Sequence, residues 1–525
     1  MAESKPNYKL ILASSLAAGF IAYALLKHLK KAEKKPAPPV EEAVLTQPHN
    51  PFRSLIKAIS TTKEFAFISS TSGKPAHLTV PDTLQAVECF PNPMIGNGTE
   101  RSLTGSAFMP SSVFNIVGGY VLGKQVYKEG EDHPNDAIKF IMGDPRREIV
   151  FLPKNVKVGI ATCGGLCPGL NVVIRELVMT LHYNYGVPEI YGVKCGYRGF
   201  YTSGNIIRLT PEMVAEYHTL GGTMLKSSRG GFDADRICDA VQSFGFNMLF
   251  ILGGDGTHRG VMALSQNFKK RRVEIAIVGV PKTIDNDIPL IDKSFGFETA
   301  VEEAQRAIQS ANVEANSADF GVGLVKLMGR NSGFIAMNAT IASRDVNLCL
   351  IPEVPYEMKK VVEYVHTRLL HKNHCVVVVA EGAATACVDQ KLVKEGTDAS
   401  GNPNMYDIGN HLKSEIIGYC KTQGMECTLK YIDPTYMIRT VPANSFDVAL
   451  CVQLAQAAVH GAFAGYTAFT VGTISGNPVL IPVQTITQVK EGRNAALGQR
   501  RVDPEHELMW WRLMASTGQP NFTSA

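Results

Sequence analysis

Two apolar runs that end in glycine and carboxylate constrain this chain more than any other feature. Met248-Leu249-Phe250-Ile251-Leu252 leads into Gly253-Gly254-Asp255-Gly256-Thr257. Ile275-Ala276-Ile277-Val278-Gly279-Val280 leads into Pro281-Lys282-Thr283-Ile284-Asp285-Asn286-Asp287. Unbroken apolar runs of this length predict strands covered on both faces, which is the condition of a parallel sheet wrapped by helices. Further strands are expected at 156–161, 322–327 and 375–380. Helical apolar spacing appears at 172–185, 299–312, 358–371 and 445–463. The alternation predicts an α/β protein with two such sheet layers. In these sheets ligands bind beyond the carboxyl ends of the strands, and the glycine- and aspartate-rich turns all fall there.

The turns carry the chemistry of phosphoryl transfer. Glycine lets backbone N–H groups approach a polyphosphate, and an aspartate beside them can hold a divalent cation, which makes Asp255 the candidate metal ligand. Gly256 leaves room where a side chain would strike phosphates. Asp285 and Asp287 stand two residues apart in the next turn, and Asp285 can accept a proton from a substrate hydroxyl. A carboxylate pair serving only magnesium, or a simple capping turn, fits the same residues. Thr162 to Gly169 is a Gly-rich turn opening a helix, with Gly165 able to face phosphate; it is neither a Walker loop nor a dinucleotide fingerprint. Lys226-Ser227-Ser228-Arg229-Gly230-Gly231 joins cation, hydroxyls and glycines, as a solvated loop or as a nucleotide contact through Arg229. Met328-Gly329-Arg330 ends another apolar run, where an arginine can clamp phosphate in a bidentate manner or pair at the surface. Glu381 can accept sugar hydroxyl hydrogen bonds or cap a helix. Tyr436-Met437-Ile438-Arg439 offers a second cation. His258 reads as a turn residue rather than a ligand.

The 525 residues are enough for two or three domains, and 45% hydrophobic with 19% charged residues describes a globular chain. The net charge of +4 is small, and part of the basic excess sits at Lys27, Lys30, Lys31, Lys34 and Lys35. No nucleic-acid footprint is seen. Eleven scattered cysteines suggest buried free thiols in a reducing compartment. Residues 10–26 form an almost unbroken apolar run, about 25 Å long as a helix against a hydrocarbon core of about 30 Å. With the heavier basic flank on its carboxyl side, it reads as an anchor for a cytosol-facing, cytoplasmic enzyme on an organelle membrane. The alternative is a soluble or imported, plastid enzyme. Residues 1–35 are thus a separate N-terminal segment, and 36–150 a linker and extension. A first α/β domain is expected over 151–299, completed by about 441–490. A second spans 300–440, and 491–525 form a tail.

Taken together, Gly-Gly-Asp-Gly-Thr, Pro-Lys-Thr-Ile-Asp-Asn-Asp, Phe295-Gly296-Phe297-Glu298-Thr299-Ala300, Met-Gly-Arg and Tyr-Met-Ile-Arg resemble the phosphofructokinase family. The likeness is to its ATP-dependent members of plant and protist type, over residues 145–480. It implies two similar Rossmann-like three-layer α/β domains with the active site in the cleft between them, commonly assembled as a homotetramer. It implies transfer of the ATP γ-phosphate, with Mg2+, to the 1-hydroxyl of fructose 6-phosphate, the allosterically regulated glycolytic step. Gly165, Arg229, Gly230, Gly254, Asp255, Gly256 and Thr257 would bind ATP, with Asp255 on the metal. Thr283, Ile284, Asp285, Met328, Gly329, Arg330, Glu381, Tyr436, Met437, Ile438 and Arg439 would bind the sugar phosphate, with Asp285 as proton acceptor.

This chain departs from the bacterial members at several positions. Lys282 replaces their glycine and is common in pyrophosphate-using relatives. Those relatives carry aspartate at the place of Gly256, where a carboxylate would crowd and repel nucleotide phosphates, so Gly256 argues for ATP. Gly321 aligns with the bacterial subunit-crossing arginine, leaving Lys430 as a substitute clamp. Of two effector arginines, Arg175 matches one and Met179 the other. The competing readings are a pyrophosphate-dependent enzyme, a NAD or diacylglycerol kinase sharing the Gly-Gly-Asp-Gly-Thr turn, and an inactive membrane-tethered scaffold.

Overall fold

The apolar runs form the strands at the centre of the molecule. A computed structural model describes residues 65–68, 75–84, 89–95, 120–122 and 139–523, apart from 393, 397–403 and 488–498. The apolar segment at 10–26 therefore lies outside the described residues. Every element named below belongs to the unit Ile56–Ala525.

The parallel strands β1 (Lys157–Thr162), β2 (Glu189–Val193), β3 (Met248–Gly253) and β4 (Ala276–Pro281) lie in the order β2-β1-β3-β4. All six residues of β3 and of β4 are buried. A second parallel sheet contains β5 (Gly321–Leu327), β6 (Leu348–Leu350), β7 (His374–Ala380) and β8 (Thr428–Ile432) in the order β6-β7-β5-β8. The chain then returns to the first sheet. Strand β9 (Phe469–Ile474) pairs parallel with β4, and β10 (Asn477–Pro482) closes a hairpin on it. Lys139–Met142 pairs with β10, Pro75–Thr79 and Tyr120–Leu122 pair with Lys139–Met142, and Phe65–Ile68 pairs with Pro75–Thr79; with Ile206–Arg208 beyond β2, the sheet has eleven strands among the described residues.

Helices cover both layers: α1 (Leu170–Met179), α2 (Asp255–Lys270), α3 (Phe297–Asn316), α4 (Phe334–Ser343), α5 (Met358–Lys372), α6 (Ile408–Thr422) and α7 (Ser445–Phe463). The expected helix at 172–185 stops being regular at Thr180, where a π-turn runs to Tyr185 and Gly186 ends it at φ 76°. Helix α7 is the one described helix long and apolar enough to cross a membrane, but two thirds of it is buried within the protein. It packs on α1 and on β4 as a core helix. Its buried Asp447 accepts hydrogen bonds from the Thr299 backbone N–H (2.7 Å) and hydroxyl (2.6 Å), tying α7 to the start of α3.

Among the described residues of 491–525 there is one helix. Helix α8 (Leu508–Thr517) buries Trp510 and Leu513 against α4. All eleven cysteines are free thiols.

Candidate active site

The sheet registers bring the predicted turns together in pairs. Gly253 is opposite Pro281 in β3 and β4, so Gly254-Asp255 and Lys282-Thr283 leave adjacent strand ends. Leu327 is opposite Ala380 in β5 and β7, so Met328-Gly329-Arg330 and Glu381 do the same in the other sheet.

The first turn is tighter than its sequence suggests. Helix α2 begins at Asp255 with Gly254 as its N-cap, so Gly253 to Thr257 is a strand–helix joint. The helix N-terminus presents free N–H groups there, and Asp255 and Gly256 are exposed on it. Gly253 has no alternative, because a Cβ would overlap the Thr257 side chain folded back over it. His258 is not a turn residue. It lies in α2 and is buried, with one ring nitrogen 3.1 Å from the Gly254 carbonyl and the other 2.9 Å from the Thr470 hydroxyl on β9. Burial holds it in its neutral form, where it braces the joint.

The glycine turn after β1 is stitched to the Lys226–Gly231 loop. Gly164 N–H donates to the Ser228 carbonyl (3.1 Å), and the Ser227 hydroxyl donates to the Gly164 carbonyl (2.6 Å). The Arg229 guanidinium reaches to 3.8 Å from where a Gly165 Cβ would stand, and the Lys282 ammonium to 3.5 Å from a Gly164 Cβ. Arg229 and Gly230 are exposed, whereas Lys282 is buried, and burial lowers its affinity for a proton. The ammonium is therefore a desolvated cation beside the glycine turn.

The second turn is folded around its own polar side chains. Thr283 donates its hydroxyl to Asp287 Oδ1 (2.7 Å) and accepts the Asp285 N–H (3.3 Å). Asn286 takes a left-handed conformation (φ 56°) and its Oδ1 accepts the Ser294 N–H (3.0 Å). The left-handed region suits asparagine better than most side chains. Ile284 points into the main core. Asp285 is left pointing inward: its Oδ1 is buried and meets no hydrogen-bond partner. Burial foremost, then the Asp287 and Glu381 carboxylates, push its pKa up to about 8, against the pull of Arg330. Asp287 is also raised, first by burial and then by Asp255. Glu381 is raised by burial, with Arg330 opposing.

The two sheets meet at these turns. The Ser332 hydroxyl donates to the Asp285 carbonyl (3.3 Å), and Gly382 N–H donates to the Gly329 carbonyl (3.0 Å). Gly329 has a positive φ of 127°, and a Cβ there would strike the Ser332 carbonyl. A Cβ on Gly382 would overlap the Arg330 carbonyl. Gly382→Ala should therefore force the two sugar-side turns apart at a cost of about 1–3 kcal/mol. Denaturant unfolding checks this: an unchanged midpoint would mean the backbone yields freely.

Tyr436 and Met437 stand in solvent, 71% and 69% exposed, and Arg439 lies over the Tyr436 ring at 4.6 Å. Ile438 is fully buried, so its side chain serves the core. Lys430 reaches Glu314 at 4.0 Å on the surface. Sequence reasoning missed Gln499, whose amide reaches Asp255 Oδ2 (3.2 Å), and Asn331, which donates to the Gln499 carbonyl (2.7 Å). Neither residue lies in a recognisable motif; only the fold brings 499 to 255.

A helix N-terminus with an exposed carboxylate faces, across two cation-bearing turns, a buried carboxylate with one oxygen free of hydrogen bonds, the arrangement of an α/β phosphotransferase. A model of the family described as phosphofructokinase matches residues 157–462. ATP-dependent 6-phosphofructokinase 7 of Arabidopsis thaliana is 48% identical over 400 residues, covering 76% of this chain and 79% of the relative. The ATP-dependent 6-phosphofructokinase of Borreliella burgdorferi is 44% identical over 72% of this chain and 84% of the relative. Among solved structures, a pyrophosphate-dependent phosphofructokinase from Marinobacter aquaeolei aligns with TM-score 0.55 at 18% identity. That alignment covers 70% of this chain and 94% of that one, and it bears on fold alone. The chain belongs to the phosphofructokinase family.

Proposed function

We propose that the chain is an ATP-dependent 6-phosphofructokinase, transferring the ATP γ-phosphate to the 1-hydroxyl of fructose 6-phosphate. The observation that carries the chemistry is Asp285 Oδ1, buried and unpartnered between the carboxyl ends of two sheets. A carboxylate so placed is short of one hydrogen bond, which a substrate hydroxyl supplies. Once ionised, it is a stronger proton acceptor than an exposed aspartate, because its proton affinity is raised. As the sugar O1 forms its bond to the γ-phosphorus, the bond to the ADP oxygen breaks and the O1 proton passes to Asp285.

The residues fit magnesium. Among the described residues no group of three or more His, Cys, Asp or Glu could hold a metal ion. Magnesium needs no such cage, because one or two carboxylates suffice when substrate phosphates complete its shell. Asp255 and Asp287 raise the local negative field in which such a cation is favourable. When bound there, magnesium would neutralise charge on the phosphates being separated. The N-terminus of α2, Arg229 and Lys282 orient the polyphosphate, with Gly165, Gly230, Gly254, Gly256 and Thr257 along its path. Arg330 and Glu381 hold the sugar phosphate and its hydroxyls, with Thr283, Met328, Gly329 and Arg439 beside them.

ATP rather than pyrophosphate is supported by Gly256 and by relatives named ATP-dependent at 44–48% identity. Turnover of the full chain with fructose 6-phosphate should be at least about 10²-fold greater, as kcat/KM, for MgATP than for pyrophosphate, a difference of about 2.7 kcal/mol in transition-state binding. Preference for pyrophosphate would overturn the donor assignment. The same reading has the enzyme as a homotetramer in the cytoplasm, anchored through residues 10–26 to an organelle membrane, with a plastid location as the alternative to the anchor. Sedimentation as a monomer, or full release from native membranes by carbonate, would remove the corresponding part.

A further inference from the structure

Residues 499–502 lie across both halves of the candidate site. Val502 secures this segment. Its side chain is buried in the main core and its N–H donates to Glu353 Oε1 at 2.9 Å. The same Glu353 oxygen accepts the Gly333 N–H at 2.9 Å, so one carboxylate holds both this segment and the start of α4. Arg500 N–H donates to the Asp287 carbonyl at 2.7 Å. The Arg500 guanidinium donates to the Asp292 carbonyl (3.2 Å) and stacks 4.8 Å above the Phe334 ring. With Val502 and Arg500 tied, the Gln499 side chain reaches the ATP-side Asp255 with its NH2 and the sugar-side Asn331 with its carbonyl.

A carboxamide suits this place chemically. It donates to one Asp255 oxygen and leaves the other for a cation, while adding no charge to compete. Its carbonyl accepts from Asn331, the residue after Arg330. One neutral side chain thus joins the turn that would hold the metal to the turn that would hold the sugar phosphate.

We propose that Gln499 is a positioning residue that orients Asp255 toward the metal–nucleotide and keeps the ATP-side turn in register with the Met328–Asn331 turn. The inference rests on Asp255 being the metal ligand. Groups that orient a metal ligand typically change metal affinity 10–100-fold when removed.

Calorimetric titration of the full chain with a non-hydrolysable ATP analogue tests it. In Mg2+, Gln499→Met should bind about 10-fold more weakly than the parent, and in EDTA the two should bind alike. Gln499 is exposed, so the melting temperature should not move. Asn331→Ala should also weaken binding, and the Gln499→Met/Asn331→Ala double variant should lose no more than the worse single variant. Parental affinity in Gln499→Met, an equal loss in EDTA, or additive losses would each overturn the positioning role. Asp255→Asn separates the two claims. If it abolishes the Mg2+-dependent binding while Gln499→Met does nothing, the metal assignment stands and this inference falls. If Asp255→Asn binds normally, the metal assignment falls and takes the inference with it.

Discussion

Asp285→Ser should cut turnover by at least about 10²-fold while leaving fructose 6-phosphate binding nearly intact, the usual scale for losing a general base. The substitution removes the unpartnered Oδ1 but keeps the backbone contacts through which Thr283 and Ser332 hold the turn. Arg330 and Glu381, the groups expected on the sugar phosphate, stay in place on the other sheet. The loss should therefore appear in kcat, with KM for the sugar within a few-fold of the parent. Steady-state kinetics decide it; unchanged turnover would remove Asp285 from the proton transfer.

The same carboxylate should cost stability. Its folded-state pKa, pushed up to about 8, lies above the ordinary 3.8 of an unfolded chain. The folded protein thus binds the extra proton between those values, and stability falls as pH rises through that window. Asp285→Asn keeps the shape and removes the charge, so it should stabilise by about 1–3 kcal/mol above pH 8. Near pH 4 the gain should vanish. Thermal melts across this range check the sign; a gain that grew toward acid would contradict it.

Gly256→Asp should lower kcat/KM for MgATP by at least about 10²-fold while the protein remains folded, as expected for like charges facing each other in a site. The protein itself has room: a Cβ at 256 meets nothing nearer than the Arg259 guanidinium at 3.8 Å. An aspartate in the first turn of a helix is also favourable to the dipole, so the melting temperature should hold or rise slightly. The damage must then come from the ligand, whose phosphates would face a second carboxylate next to Asp255. Undiminished ATP use would show that Gly256 does not govern the donor. A fall in ATP use together with a collapsed melting temperature would point to the fold instead.

Much of the architecture was legible because burial on both faces leaves a strong mark in sequence. Strands β3, β4, β5 and β7 lie within a residue or two of their expected limits, as do α5 and α7. Each pairs a continuous apolar run, or a helical stripe, with glycine or carboxylate at its end. The joint at Asp255 was harder to read, since a helix opening on Asp-Gly-Thr looks like an extended turn. His258 was misread for the same reason: its role depends on Thr470, far along the chain, which reaches it only through the pairing of β4 with β9.

What the sequence alone determined is the chemistry available: which side chains end the buried strands, and hence that carboxylates, glycines and cations gather where an α/β sheet opens. Local patterning suffices for that, because strand burial and turn formation depend on neighbours a few residues apart. Tertiary structure decided how those groups behave. It left Asp285 Oδ1 without a hydrogen-bond partner, desolvated Lys282, and carried Gln499 to Asp255. Each of these follows from contacts between segments distant in the chain, and proton affinity and orientation are set by what lies across the site rather than by what lies next in sequence.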